Sequence, residues 1–100
     1  MANTMSSRER AVAGPVAVRD VGEIVELLRR QLAEISDGKL TADAIDPTGH
    51  LFDYGYVDSL SAVMFLAHIE ETWGVRIDDM ELVERLNTLS AIAQHVSENA

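Results

Sequence analysis

Cysteine is absent from these 100 residues, which excludes a disulfide framework and any thiolate metal site. Thiol chemistry, if the protein uses it, has to arrive on an added group. Long apolar runs are absent too. No stretch approaches the ~20 residues of a membrane-spanning helix, and residues 1–10 hold no hydrophobic signal core. Both observations point to the cytoplasm and away from the bilayer. Alternation with period two is missing over any useful length, so strands are not expected. Positive charge is scarce: 8 Lys and Arg face 17 Asp and Glu, for a net charge of -9. The imbalance is uneven, because residues 1–30 carry five basic and four acidic side chains while residues 31–100 carry three and thirteen. Such a field repels nucleic acid and anionic membranes and attracts proteins with basic docking patches. An acidic surface also simply keeps a small protein in solution, so charge alone does not choose a function.

The residues that are present read as one helical domain. The apolar fraction of 47% is that of a globular chain, and 100 residues suffice for one core but not for a cleft between domains. Residues 1–16, which include Gly14-Pro15, are small, polar and aperiodic and are expected to form a flexible tail ahead of a domain spanning 17–98. From Asp20, a candidate N-cap, Val21, Ile24, Val25, Leu28, Leu32 and Ile35 recur at three- and four-residue steps, and Ser36-Asp37-Gly38 supplies a stop. A long connection follows over residues 37–58. Thr41 to Ile45 offers one helical turn within it, and Leu51 and Phe52 are expected to pin it to the core. A second helix is predicted from Ser59 to Trp73 with Gly74 as its left-handed terminator, burying Ala62, Phe65, Leu66, Ile69 and Trp73. Asp78 is placed to cap a short third helix carrying Met80, Val83 and Leu86. Asn87-Thr88 then open a last helix with Leu89, Ile92, Ala93 and Val96 inward. The expected fold is therefore all-α: a four-helix bundle of three longer helices and one short one, with a long loop between the first two.

Chemistry concentrates where that loop meets the second helix, in Leu51-Phe52-Asp53-Tyr54-Gly55-Tyr56-Val57-Asp58-Ser59-Leu60. Asp58 is placed to cap the helix, and Ser59 falls in its first turn. There the unpaired backbone N–H groups and the positive end of the helix dipole favour a phosphate. Capping alone explains an Asp-Ser pair at a helix start. More than the pair is present, however: a Leu-Phe anchor, Gly55 three residues before Asp58, a helical apolar run after Ser59, Glu70-Glu71, an aromatic-glycine helix end, a short helix and a terminal helix.

Over residues 20–97 this layout resembles the acyl carrier and peptidyl carrier proteins. It is most similar to stand-alone carriers such as D-alanyl carrier proteins and the discrete carriers of polyketide and nonribosomal peptide pathways. The resemblance implies that Ser59 bears 4'-phosphopantetheine, transferred from coenzyme A by a phosphopantetheinyl transferase. It implies a cargo-loading ligase or acyltransferase and downstream synthase or tailoring enzymes as further partners, a monomer as the working form, and a protein that carries a thioester but is not itself an enzyme. Fatty-acid-synthase carriers usually have one residue fewer between the glycine and the Asp-Ser pair and acidic residues just after Ser-Leu, where this chain has Ser61, Ala62, Met64 and His68. Module-embedded peptidyl carriers usually have Gly-Gly-His/Asp-Ser, which Gly55-Tyr56-Val57-Asp58 does not match. Both departures favour a dedicated biosynthetic carrier over a housekeeping fatty-acid one; a fatty-acid-synthase carrier or a D-alanyl carrier is the alternative within the family. Partners of such a protein dock beside the serine, which singles out Asp58, Leu60, Met64 and Ala67.

Rival readings fare worse on physical grounds. Val57-Asp58-Ser59-Leu60 superficially resembles the Gly-Asp-Ser-Leu box of one esterase family, but a serine nucleophile needs a base within reach and an oxyanion hole. His68 lies two and a half helical turns from Ser59, and His50 and His95 fall on the loop and the last helix. Asp43, Asp46 and Asp53 lack the spacing of a calcium loop. A helical interaction module in which Ser59 is an ordinary surface residue is the remaining alternative.

Overall fold

The computed structural model describes residues 20–100, and all regular structure in them is helical. The expected tail, residues 1–16, lies outside the described residues. The elements are α1 (Val21–Ile35), a single 3-10 turn (Ala42–Ala44), α2 (Ser59–Trp73), α3 (Asp79–Glu84) and α4 (Leu89–Asn99).

Each helix begins where a side chain satisfies its first N–H groups. The Asp20 carboxylate accepts from the Glu23 N–H at 3.0 Å, and the Thr88 hydroxyl accepts from the Ala91 N–H at 3.1 Å. The stops are as local as the starts. Asp37 and Gly38 turn the chain left-handed after α1, and Gly74, at φ 71°, ends α2 with its N–H on the Glu70 carbonyl at 2.8 Å.

Packing joins α1 to both α4 and α2. The end of α1, at Ile35, shares a groove with Leu60 and Met64 at the start of α2, and Gln31 donates to Thr72 near the other end of α2 at 3.0 Å. Ile24, Leu28 and Leu32 of α1, Ala62, Phe65, Ile69 and Trp73 of α2, and Leu89, Ile92, Ala93 and Val96 of α4 form one core. Leu66 is half-buried at its margin.

The long connection is ordered by the core and by its own polar groups. Ile45, Leu51 and Val57 are buried, while Phe52 is only half-buried, so the anchor is mainly aliphatic. The Arg29 guanidinium donates to the Ile45 carbonyl through Nε at 3.0 Å and Nη2 at 2.9 Å. Backbone bonds from Leu51 N–H to the Asn87 carbonyl (2.8 Å) and from Ser90 N–H to the Pro47 carbonyl (2.9 Å) fasten the loop to the start of α4. The Tyr56 hydroxyl accepts from the Asp46 N–H at 2.9 Å, and His50 Nδ1 accepts from the Phe52 and Asp53 N–H groups, both at 3.3 Å. These bonds leave the backbone entering α2 with few alternatives.

The third helix adds what the sequence reading leaves open. Of the apolar residues placed on it, Met80 and Val83 are 61% and 50% exposed, and Leu82, which that reading does not single out, is buried. A capping box stands at its start: the Asp78 carboxylate takes the Glu81 N–H at 2.9 Å, and Glu81 Oε1 accepts the Asp78 N–H at 3.4 Å. Within the helix so started, Leu82 reaches the core, and Leu86 joins it from just beyond the helix end.

Candidate functional site

Asp58 stands in extended conformation at the N-cap of α2, and Ser59 is the first helical residue. The Asp58 carboxylate accepts from the Ser61 N–H at 2.9 Å and from the Ser61 hydroxyl at 3.0 Å. The Ser61 hydroxyl in turn accepts from the Asp58 N–H at 2.8 Å, so the pair forms a capping box. The Ser61 N–H, with its hydroxyl in support, holds the Asp58 carboxyl below the usual carboxylate range. It is thus a charged, fully committed cap at neutral pH.

Ser59 is exposed, and among the described residues its hydroxyl makes no hydrogen bond. The histidines are engaged elsewhere or remote. Besides its loop contacts, His50 Nδ1 lies 3.9 Å from Asp53 Oδ1, His95 faces Asn99, and His68 is half-buried along α2. The arrangement offers a hydroxyl to an external reagent and brings it no base of its own. Among the described residues no cluster of His, Asp or Glu is arranged to hold a metal ion.

Two grooves flank the serine. On the α1 side, Asp58, Leu60, Ser61 and Met64 line one groove with Lys39 and Tyr56. On the α3 side, Ser59 itself lines a smaller groove of about 180 Å³ with Phe52, Val63, Asp79, Leu82 and Val83. Three of the four expected docking residues, Asp58, Leu60 and Met64, therefore share a face, with Leu60 71% exposed. Ala67 does not join them. It lines a third groove with Val63, Leu66, Glu70 and Met80. The exposed apolar residues that sequence reasoning missed are Val63, Met80 and Val83, which continue the apolar surface from α2 onto α3. Val63 stands four residues after Ser59, one helical turn along the same face, which is the signal that would have found it.

A small helical bundle that presents an exposed serine at a capped helix start has a form suited to carrying a group on that serine. The chain matches the family described as phosphopantetheine attachment site over residues 22–96. It is also 34% identical over 79 residues to an acyl carrier protein of Streptomyces coelicolor, covering 79% of this chain and 84% of that relative. No solved structure matches. The chain belongs to the acyl carrier protein family, whose members carry a covalently attached 4'-phosphopantetheine. The donor set fits that group, since a free hydroxyl at a helix N-terminus is what a phosphodiester linkage to serine requires. Carrier proteins of this kind work with phosphopantetheinyl transferases and synthase enzymes.

Proposed function

We propose that this protein is a stand-alone carrier that holds an acyl or aminoacyl intermediate on 4'-phosphopantetheine attached to Ser59. Its expected setting is polyketide or nonribosomal peptide biosynthesis in the cytoplasm, with the carrier acting as a monomer. The observation that carries the proposal is the Ser59 hydroxyl, exposed and, among the described residues, unbonded in the first turn of α2 directly after the N-cap Asp58. In the attachment step the serine oxygen bonds to the pantetheine-bearing phosphorus of coenzyme A. The pyrophosphate P–O bond breaks, adenosine 3',5'-bisphosphate leaves, and the serine proton passes to a base of the transferase.

Once attached, the arm supplies the thiol that this cysteine-free chain lacks, and the thiol holds cargo as a thioester. Tethering turns encounters between free cargo and each enzyme into delivery at raised effective concentration. The chain itself contributes recognition. Loading and downstream enzymes dock beside the serine on Asp58, Leu60 and Met64, with Ala67 reached only by a partner that extends along α2, and here uncharged Ser61, Ala62 and Met64 stand where fatty-acid carriers usually have acidic residues. That replacement supports the biosynthetic setting.

Mass spectrometry of the protein incubated with coenzyme A and a phosphopantetheinyl transferase tests the attachment. The wild type should gain one phosphopantetheine, and Ser59→Ala should gain none while keeping its helical circular dichroism. Modification that persists in Ser59→Ala would refute the assignment.

A further inference from the structure

Two serines occupy the first turn of α2, and they stand in opposite states. Ser59 is exposed and unbonded. The Ser61 hydroxyl is committed twice over, accepting from the Asp58 N–H at 2.8 Å and donating to the Asp58 carboxylate at 3.0 Å. A hydroxyl has one proton to donate, so the Ser61 donor is spent. The Ser61 N–H adds a third contact to the same carboxylate oxygen at 2.9 Å. These three bonds bracket Ser59 and Leu60, and the turn that holds Ser59 cannot unwind without breaking them together.

Serine at this position also does more than an acidic side chain would. An acidic side chain at this position can accept from the Asp58 N–H, but when ionised it cannot donate to the Asp58 carboxylate and sets a like charge against it. Serine completes the box without charge.

We infer that Ser61 is a positioning residue for the modification of Ser59, acting through Asp58 to hold the first turn of α2 in the form that presents the Ser59 hydroxyl to the transferase. The inference rests on the attachment reading of Ser59. Ser61 touches no reacting atom. Its contribution is the fraction of free carrier molecules whose first turn is formed when the transferase arrives, and a reduced competent fraction raises the apparent dissociation constant in proportion.

The test uses the full apo chain with coenzyme A and a phosphopantetheinyl transferase, comparing wild type, Ser61→Ala and Ser61→Thr at a temperature where all are folded. Steady-state kinetics are paired with amide hydrogen exchange over residues 59–62. Ser61→Ala should raise KM for the carrier roughly three- to tenfold, the scale of losing a hydrogen bond or two, with kcat within about twofold. Exchange in the first turn should accelerate in parallel. Ser61→Thr, which keeps the hydroxyl, should restore both. A KM unchanged in Ser61→Ala, or raised equally in Ser61→Thr, would overturn the inference. So would a raised KM with unchanged first-turn exchange, because that pattern means direct contact between Ser61 and the transferase. Wild-type protein that takes up no phosphopantetheine, or takes it up at a residue other than Ser59, would overturn the attachment reading and this inference with it.

Discussion

Ile69 and Val63 sit on the same helix and differ in what surrounds them, so truncating each to alanine tests how α2 is seated. Ile69 is fully buried among the core residues, whereas Val63 is 57% exposed. Ile69→Ala removes three carbons from the core. At about 0.8 kcal/mol per buried methylene the transfer loss is about 2.4 kcal/mol, and incomplete collapse of the cavity carries the expected total to about 2–5 kcal/mol. Val63→Ala removes two carbons that are largely solvated and exchanges a β-branched residue for the best helix former, so its effect should stay within about 0.5 kcal/mol. The scale matters because a domain of this size has only about 4–12 kcal/mol in total. Ile69→Ala should also lower Tm by about 4–8 °C for each kcal/mol lost. Urea titrations followed by far-ultraviolet circular dichroism give both values. The fluorescence of Trp73, the single tryptophan and a buried one, provides a second probe whose coincidence tests two-state behaviour. Equal losses in the two variants, or a loss under about 1 kcal/mol for Ile69→Ala, would mean that α2 is rotated from the orientation described.

Other consequences are as direct. Gly74→Ala should cost about 1 kcal/mol, because the residue sits at φ 71° where a Cβ is strained; a neutral result in urea titration would contradict the left-handed cap. The carboxyls of Asp46 and Asp58 lie below their ordinary value of 3.8, chiefly through the backbone N–H groups of Thr48 and Ser61. A carboxyl lowered on folding adds stability that is complete above its unfolded value and is lost as pH falls through its folded value. The urea midpoint should therefore drop below about pH 4, and Asp58→Asn, which removes the titrating carboxyl, should flatten that acid limb; an unchanged limb would show that the Asp58 cap carries no such linkage. Leu60→Ala and Met64→Glu should slow loading by a cognate enzyme while the fold persists, and salt should weaken association only moderately, since charge near Ser59 is sparse and screening acts over roughly 8–10 Å. Unchanged kinetics in both variants would put the docking surface elsewhere.

The parts of this fold that were legible in the sequence carry several agreeing signals. For α2 these were an Asp N-cap, an apolar stripe at helical spacing and a glycine stop, and all three agree with the structure. Outside the helices Leu51 was legible as a core anchor, but Ile45, Val57, Val75 and Ile77 were not, because they lie in segments with no periodicity to mark an inward face. The capping box around Ser59 was half legible. Asp58 reads as a cap, but the partner at the third helical position is usually Glu or Gln, and Ser61 performs that task with a hydroxyl. The α3 register was illegible for want of length.

The first half of α2 explains why the exposed apolar surface lies beside the serine. From Leu60 to Ala67 nearly every residue is apolar, and a helix on the flank of a small bundle buries only one stripe. Ala62 and Phe65 take that stripe, which leaves Leu60, Val63 and Met64 in solvent, and the capped register of α3 adds Met80 and Val83. Scattered apolar residues need no account, but Val63, Met80 and Val83 line adjoining grooves next to Ser59. Acidic residues meanwhile collect farther along α2, at Glu70 and Glu71, while Asp79 stands on the α3 side of the Ser59 groove. Charge at a distance can guide an approaching basic enzyme, while the apolar contacts around the serine determine how long it stays. A carrier that must be released by one enzyme before it meets the next is served by that division, because steering quickens arrival without slowing departure.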